Sequence, residues 1–115
     1  MRLRTTVAAA LGALALVVTL PTSASATVGV FAYRYTGLDG TPQIAELVDP
    51  PSGKCVTLPE VADLNSSNPA DSPWNFTAST ATVFTGPGCD GEDFSLRPFG
   101  GHASERLKLR SVFFS

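Results

Sequence analysis

The sequence has little of what most site chemistry needs. Its 115 residues include one histidine, two cysteines, one tryptophan and one methionine. One His and two Cys cannot build the four-ligand His/Cys sites that hold structural zinc. Basic residues do not exceed acidic ones: eight against ten, a formal charge of −2. The electrostatic footprint of a nucleic-acid binder is therefore missing. No G-x-S-x-G, H-E-x-x-H, phosphate loop or dinucleotide fingerprint occurs. Apart from the first residues, no apolar run approaches the roughly 20 residues of a membrane-spanning helix. No segment of the remainder keeps a helical period over ten residues.

What the chain does have begins with an address. Arg2 and Arg4 precede an uncharged run from Val7 to Leu20, and Ala24-Ser25-Ala26 follows. A charged start, a short apolar run and an A-x-A site predict a secretory signal peptide over 1–26. The run has 14 residues, too few for a spanning anchor. Cleavage after Ala26 leaves residues 27–115, one small domain with six basic and ten acidic residues, a net −4. We therefore expect a secreted, monomeric protein with no membrane association after cleavage. In an oxidising compartment Cys55 and Cys89 read as a disulfide. It closes a loop of about 35 residues, which stabilises on the order of 3–4 kcal/mol in the chain-entropy view.

The mature stretch reads as short strands. Val28–Tyr35 alternates Phe31, Tyr33 and Tyr35 on one face. Gln43–Val48 and Cys55–Leu58 are short and apolar, bounded by turns at Thr36–Gly40 and Ser52–Lys54. Asp63–Asn75 shows no period and reads as a long loop, functional or mobile. Thr77–Thr85 and Phe94–Arg97 follow as strands around a Gly-rich turn at Cys89. Pro98–Ser104 reads as a loop. In Arg106–Phe114, Leu107, Leu109, Ser111 and Phe113 share one face. Arg106, Lys108 and Arg110 share the other, a basic outer stripe. Short strands punctuated by Gly and Pro predict an all-β antiparallel sandwich.

Phe84, Gly91 seven residues later, and Ser111 in the last strand make the segment Phe84–Phe114 resemble a Greek-key motif of the βγ-crystallin superfamily. Tyr33 and Gly40 repeat the aromatic-to-glycine spacing, without a serine at the matching place. The whole chain also looks like small secreted actinobacterial proteins with a crystallin-like core. The resemblance implies a folded hairpin at Gly91, packed on Phe84 and tied by the Ser111 hydroxyl. Many members bind calcium through Asn/Asp pairs shortly before Ser/Thr-Ser. Here Arg106 and Leu107 stand at those positions, and Arg110 precedes Ser111, which puts positive charge where calcium would sit. Ala62–Ser67 matches all but the first position of that pattern, at the wrong distance from Gly40. Asp90, Glu92 and Asp93 read as a solvated acidic turn.

No catalytic, cofactor or metal residues are expected, and the chain is read as a non-enzyme. His102 lies in a Gly-rich loop without a signature partner. Trp74 either pins the long loop to the core, the preferred reading, or anchors a partner. Lys54, beside Cys55, stands where a disulfide-held inhibitory loop would present a basic residue. The function expected is a secreted binding or structural module for an extracellular protein or cell-wall ligand. An antimicrobial, killer-toxin-like role and a secreted protease inhibitor are the alternatives.

Overall fold

The computed structural model describes residues 25–115. The expected leader falls outside them except for Ser25 and Ala26, which lie beside Ser52 and Pro51. Nine strands follow: β1 Gly29–Thr36, β2 Pro42–Val48, β3 Cys55–Thr57, β4 Ala70–Thr77, β5 Ala81–Gly86, β6 Asp90–Leu96, β7 Gly101–His102, β8 Lys108–Leu109 and β9 Ser111–Phe114. A single 3-10 turn, Pro59–Val61, is the only helical element among the described residues. No described helix is long and apolar enough to cross a membrane.

The strands form two antiparallel sheets. One runs β2-β1-β4-β7, with β8 also paired to β4; the other runs β3-β9-β5-β6. The third strand of each half is delivered to the other half's sheet. The chain is therefore an all-β sandwich with one disulfide, Cys55–Cys89, whose Cα atoms are 5.9 Å apart.

The alternation read in β1 is the one that builds the core. Phe31 and Tyr33 are fully buried, while Val30 and Ala32 face outward. Phe31 meets Phe114 of β9 edge to face, 5.4 Å between ring centres, and so joins the sheets. Val83, Leu96, Leu109, Val112, Leu58 and Val61 complete the core. Each such side chain contributes about 1.5–3 kcal/mol by leaving water.

Four boundaries differ from the sequence reading. The expected loop Asp63–Asn75 ends early, because β4 begins at Ala70. Its period-two signal is inverted: Pro73, Asn75 and Thr77 are buried, while Trp74 and Phe76 are exposed. Pro73 is tolerated because the β1–β4 register shifts between Ala32 and Arg34, beside it. The expected strand Thr77–Thr85 is two strands joined by a turn. The expected loop at Pro98–Ser104 contains β7, and β6 starts at Asp90 rather than Phe94.

The last segment also departs from plan. Arg106–Phe114 breaks into β8 and β9, which belong to different sheets. Leu109, Arg110, Ser111 and Val112 are buried in succession. Arg110 is not part of an outer basic stripe; it is 6% exposed. Its guanidinium donates to Val61 O (2.9 Å), Ser67 Oγ (3.1 Å) and Ser67 O (2.8 Å). The chain turns inward between the sheets there, and Val61 with the loop Ala62–Pro69 supplies the carbonyls that make burial of a cation tolerable.

Candidate binding face

Directly opposed residues in an antiparallel sheet lie on the same side. On the outer side of β2-β1-β4-β7 they fall into three rows. Val48, Val30 and Phe76 form the first; Glu46, Ala32, Trp74 and His102 the second; Ile44, Arg34, Asp71 and Lys108 the third. The face grades from apolar to charged.

Its centre is aromatic. The Trp74 ring stacks on Phe76 at 5.5 Å and 10°, and on His102 at 4.4 Å and 19°. Trp74 and Phe76 are still 43% and 48% exposed, and Val48 and Ile44 are about two-thirds exposed. Trp74 is thus not a plug in the core. It sits on a rigid strand, because its neighbour Asn75 is locked from below. The Asn75 amide donates to Ser79 O (2.8 Å), Leu96 O (3.2 Å) and Arg97 O (3.0 Å), and its oxygen accepts from Thr77 Oγ1 (2.7 Å). A fully satisfied buried network of this kind fixes the strand's rotation. His102 is held through its Nδ1, 3.0 Å from Gly100 O.

The charged row is ordered too. Arg34 Nε donates to Asp71 Oδ1 at 2.9 Å, and Lys108 Nζ lies 3.7 Å from Asp71 Oδ2. Sequence reasoning found Trp74 but missed Phe76 and His102 as its partners, and missed Asn75 entirely. The one available signal was polar-aromatic alternation in Trp74-Asn75-Phe76-Thr77, opposite in sense to the usual pattern.

The other singled-out residues lie elsewhere. Ser111 is fully buried; its hydroxyl donates to Gly86 O (2.6 Å) and accepts from Cys89 N–H (2.8 Å). The expected tie to the β5–β6 hairpin exists, with Gly86 O as its acceptor. Gly91 has φ +87°, where a Cβ would strike Thr85 Oγ1. Phe84 is half-buried, opposite Asp93 and Ser111. Lys54 is exposed, between Gly53, whose N–H donates to Phe114 O (2.8 Å), and the disulfide.

Three side chains have shifted acidity. Burial, aided by a hydrogen bond to Glu60 at 2.7 Å, pushes the Tyr33 phenol well above its ordinary range. Bonds from the Asn65 amide and the Ser66 hydroxyl hold Asp63 below the usual carboxylate range. The Thr41 hydroxyl and amide do the same for Asp39. All three are structural ties in loops and core. Comparison of the chain with protein-family models, with curated proteins and with solved structures returned no match.

Proposed function

We propose that this protein is a secreted, non-enzymatic binding module with a crystallin-like sandwich of two Greek keys. We place its contact with an extracellular protein or cell-wall ligand on the outer face bearing Trp74, Phe76 and His102. A Greek key sets its fourth strand beside its first. The orders β4-β1-β2 and, with β7 and β8 both on β4 as the third element, β9-β5-β6 support that reading for both halves. So does the Ser111 tie within the Phe84–Phe114 segment.

The observation that carries the binding reading is the exposed stack itself. Contiguous exposed apolar surface marks interaction sites more often than isolated exposed side chains do. Tryptophan at the centre of such a patch suits an energetic anchor. Trp74 is the sole tryptophan, so its emission reports directly on the face. Purified cell-wall polysaccharide and secretome fractions should quench or shift that emission, and the Phe76→Ala variant should lose most of the response. Emission unmoved by every fraction, with retention on cell walls unchanged in Trp74→Ala, would remove the proposal.

Lys54 supports a second reading. Its loop is fixed on one side by the Gly53–Phe114 bond and on the other by the disulfide. A pre-organised loop presenting a basic residue suits a protease inhibitor. Inhibition of trypsin-like proteases that disappears in Lys54→Ala would favour it. Growth-inhibition assays address the antimicrobial alternative.

A further inference from the structure

A second region, away from the aromatic face, has the build of a ligand site. Where the sandwich opens beside β6, a cavity of about 280 Å³ lies between Glu92–Phe94 and Arg106–Lys108. Its floor includes Val83, Phe94 and Leu107, and Phe94 is half exposed. One wall carries Glu92, on the same side of β6 as Phe94, while Asp93 pairs with Phe84 on the other side; the opposite wall carries Arg106 and Lys108.

The two walls do not neutralise each other. Among the described residues, Glu92 and Arg106 take part in no ion pair. Lys108 turns instead to Asp71 on the first sheet. Both walls are nevertheless positioned. The Glu92 amide donates to Thr85 Oγ1 at 3.0 Å. The Arg106 amide donates to Ser104 Oγ at 3.2 Å, and that of Leu107 to Ser104 O at 3.1 Å. Among the described residues, β6 has no strand on its outer side to cover the opening.

We propose that this cleft binds a small zwitterion with an apolar body, an amino acid or short unblocked peptide. Its ammonium group lies toward Glu92, its carboxylate toward Arg106, and its side chain on Phe94 and Leu107. A simple cation meets Arg106, and a simple anion meets Glu92, so each single-charge ligand is opposed by one wall. A ligand carrying both signs is opposed by neither, and the apolar floor favours side chains over sugars. The inference does not depend on the aromatic face being a binding surface.

The test is an amide NMR titration of the protein with leucyl-leucine, its N-acetyl form and its C-terminal amide. Shifts should concentrate at Val83–Phe94 and Ser104–Lys108, leaving Trp74 and Phe76 unmoved. Blocking either end should weaken binding about threefold to tenfold, the loss of one charge-assisted contact at a half-open site. Arg106→Gln should erase the difference between acid and amide while keeping that between amine and acetyl. Glu92→Gln should do the reverse. Equal binding of all three peptides, shifts centred elsewhere, or no shifts at millimolar peptide would overturn the proposal.

Discussion

The β1–β2 and β5–β6 hairpins both place a glycine seven residues after an aromatic: Gly40 after Tyr33, Gly91 after Phe84. Both glycines take the same left-handed backbone, φ +84° and +87°. There the likeness ends. The first hairpin is held by its own turn: Gly37 N–H to Thr41 O, Gly40 N–H to Gly37 O, and the Thr41 amide and hydroxyl to Asp39 Oδ1. Leu38 at its tip is wholly exposed. The second is held from far along the chain. Ser111 bonds Gly86 and Cys89, Thr57 Oγ1 accepts from Gly88 N–H, and Cys55 is covalently joined to Cys89. An identical local spacing therefore sets the glycine's conformation. Whether the hairpin docks depends on a serine and a cysteine in distant strands.

That contrast can be broken in four ways, in falling order of effect. Replacing both cysteines by serine should destabilise the protein by about 3–4 kcal/mol in denaturant melts. The loss of amide protection should be greatest at 85–92, with the first hairpin scarcely changed. Ser111→Ala leaves Gly86 O and Cys89 N–H without their partner in a buried place. It should cost about 1–3 kcal/mol, and a cost below that of Thr41→Ala would mean the serine does not tie the hairpin.

The glycines offer a sharper comparison. Valine at either position meets backbone strain of about 1–2 kcal/mol. At Gly91 its Cβ also meets Thr85 Oγ1, whereas at Gly40 nothing lies within 4 Å. Gly91→Val should thus be the worse by about 1 kcal/mol, an overpacking cost at the lower end of its range. Equal losses in paired melts would contradict the docked state of the second hairpin. Smallest is Lys108→Ala, on the solvated side, which should shift stability by less than about 0.5 kcal/mol. A larger effect than that of Ser111→Ala would contradict the solvated setting of Lys108.

Much of the architecture was legible because it follows from local pattern. The Phe31/Tyr33 alternation, the Gly and Pro turns and the cysteine pair led to an all-β sandwich with the disulfide observed. The errors over β4 and the last segment have one physical source: positions where polar residues are inside. Asn75 and Thr77 are buried because they satisfy carbonyls at the end of β6 and in the β4–β5 turn. With its polar members inward, β4 looked like loop. Arg110 was placed outside because a guanidinium is rarely buried, yet the carbonyls of Val61 and Ser67 receive it. No period in the sequence announces a partner nearly fifty residues away. The candidate face was hidden by the same inversion. Trp74 was noticeable as a lone tryptophan, but Phe76 and His102 joined it only once β4 and β7 were adjacent.

The exchange of third strands between sheets bears on when the chain can fold. β9 separates β3 from β5, so the second sheet has no continuous order until Ser111–Phe114 is present. Pairing β3 with β9 spans more than fifty positions, from Thr57 to Ser111. Contacts of such long range slow folding, since the loop must close before it is rewarded. A chain emerging from its N-terminus therefore remains without its native sandwich until those last strand residues appear. Such delay would keep a nascent chain unfolded, the state in which a polypeptide can be threaded through a narrow pore.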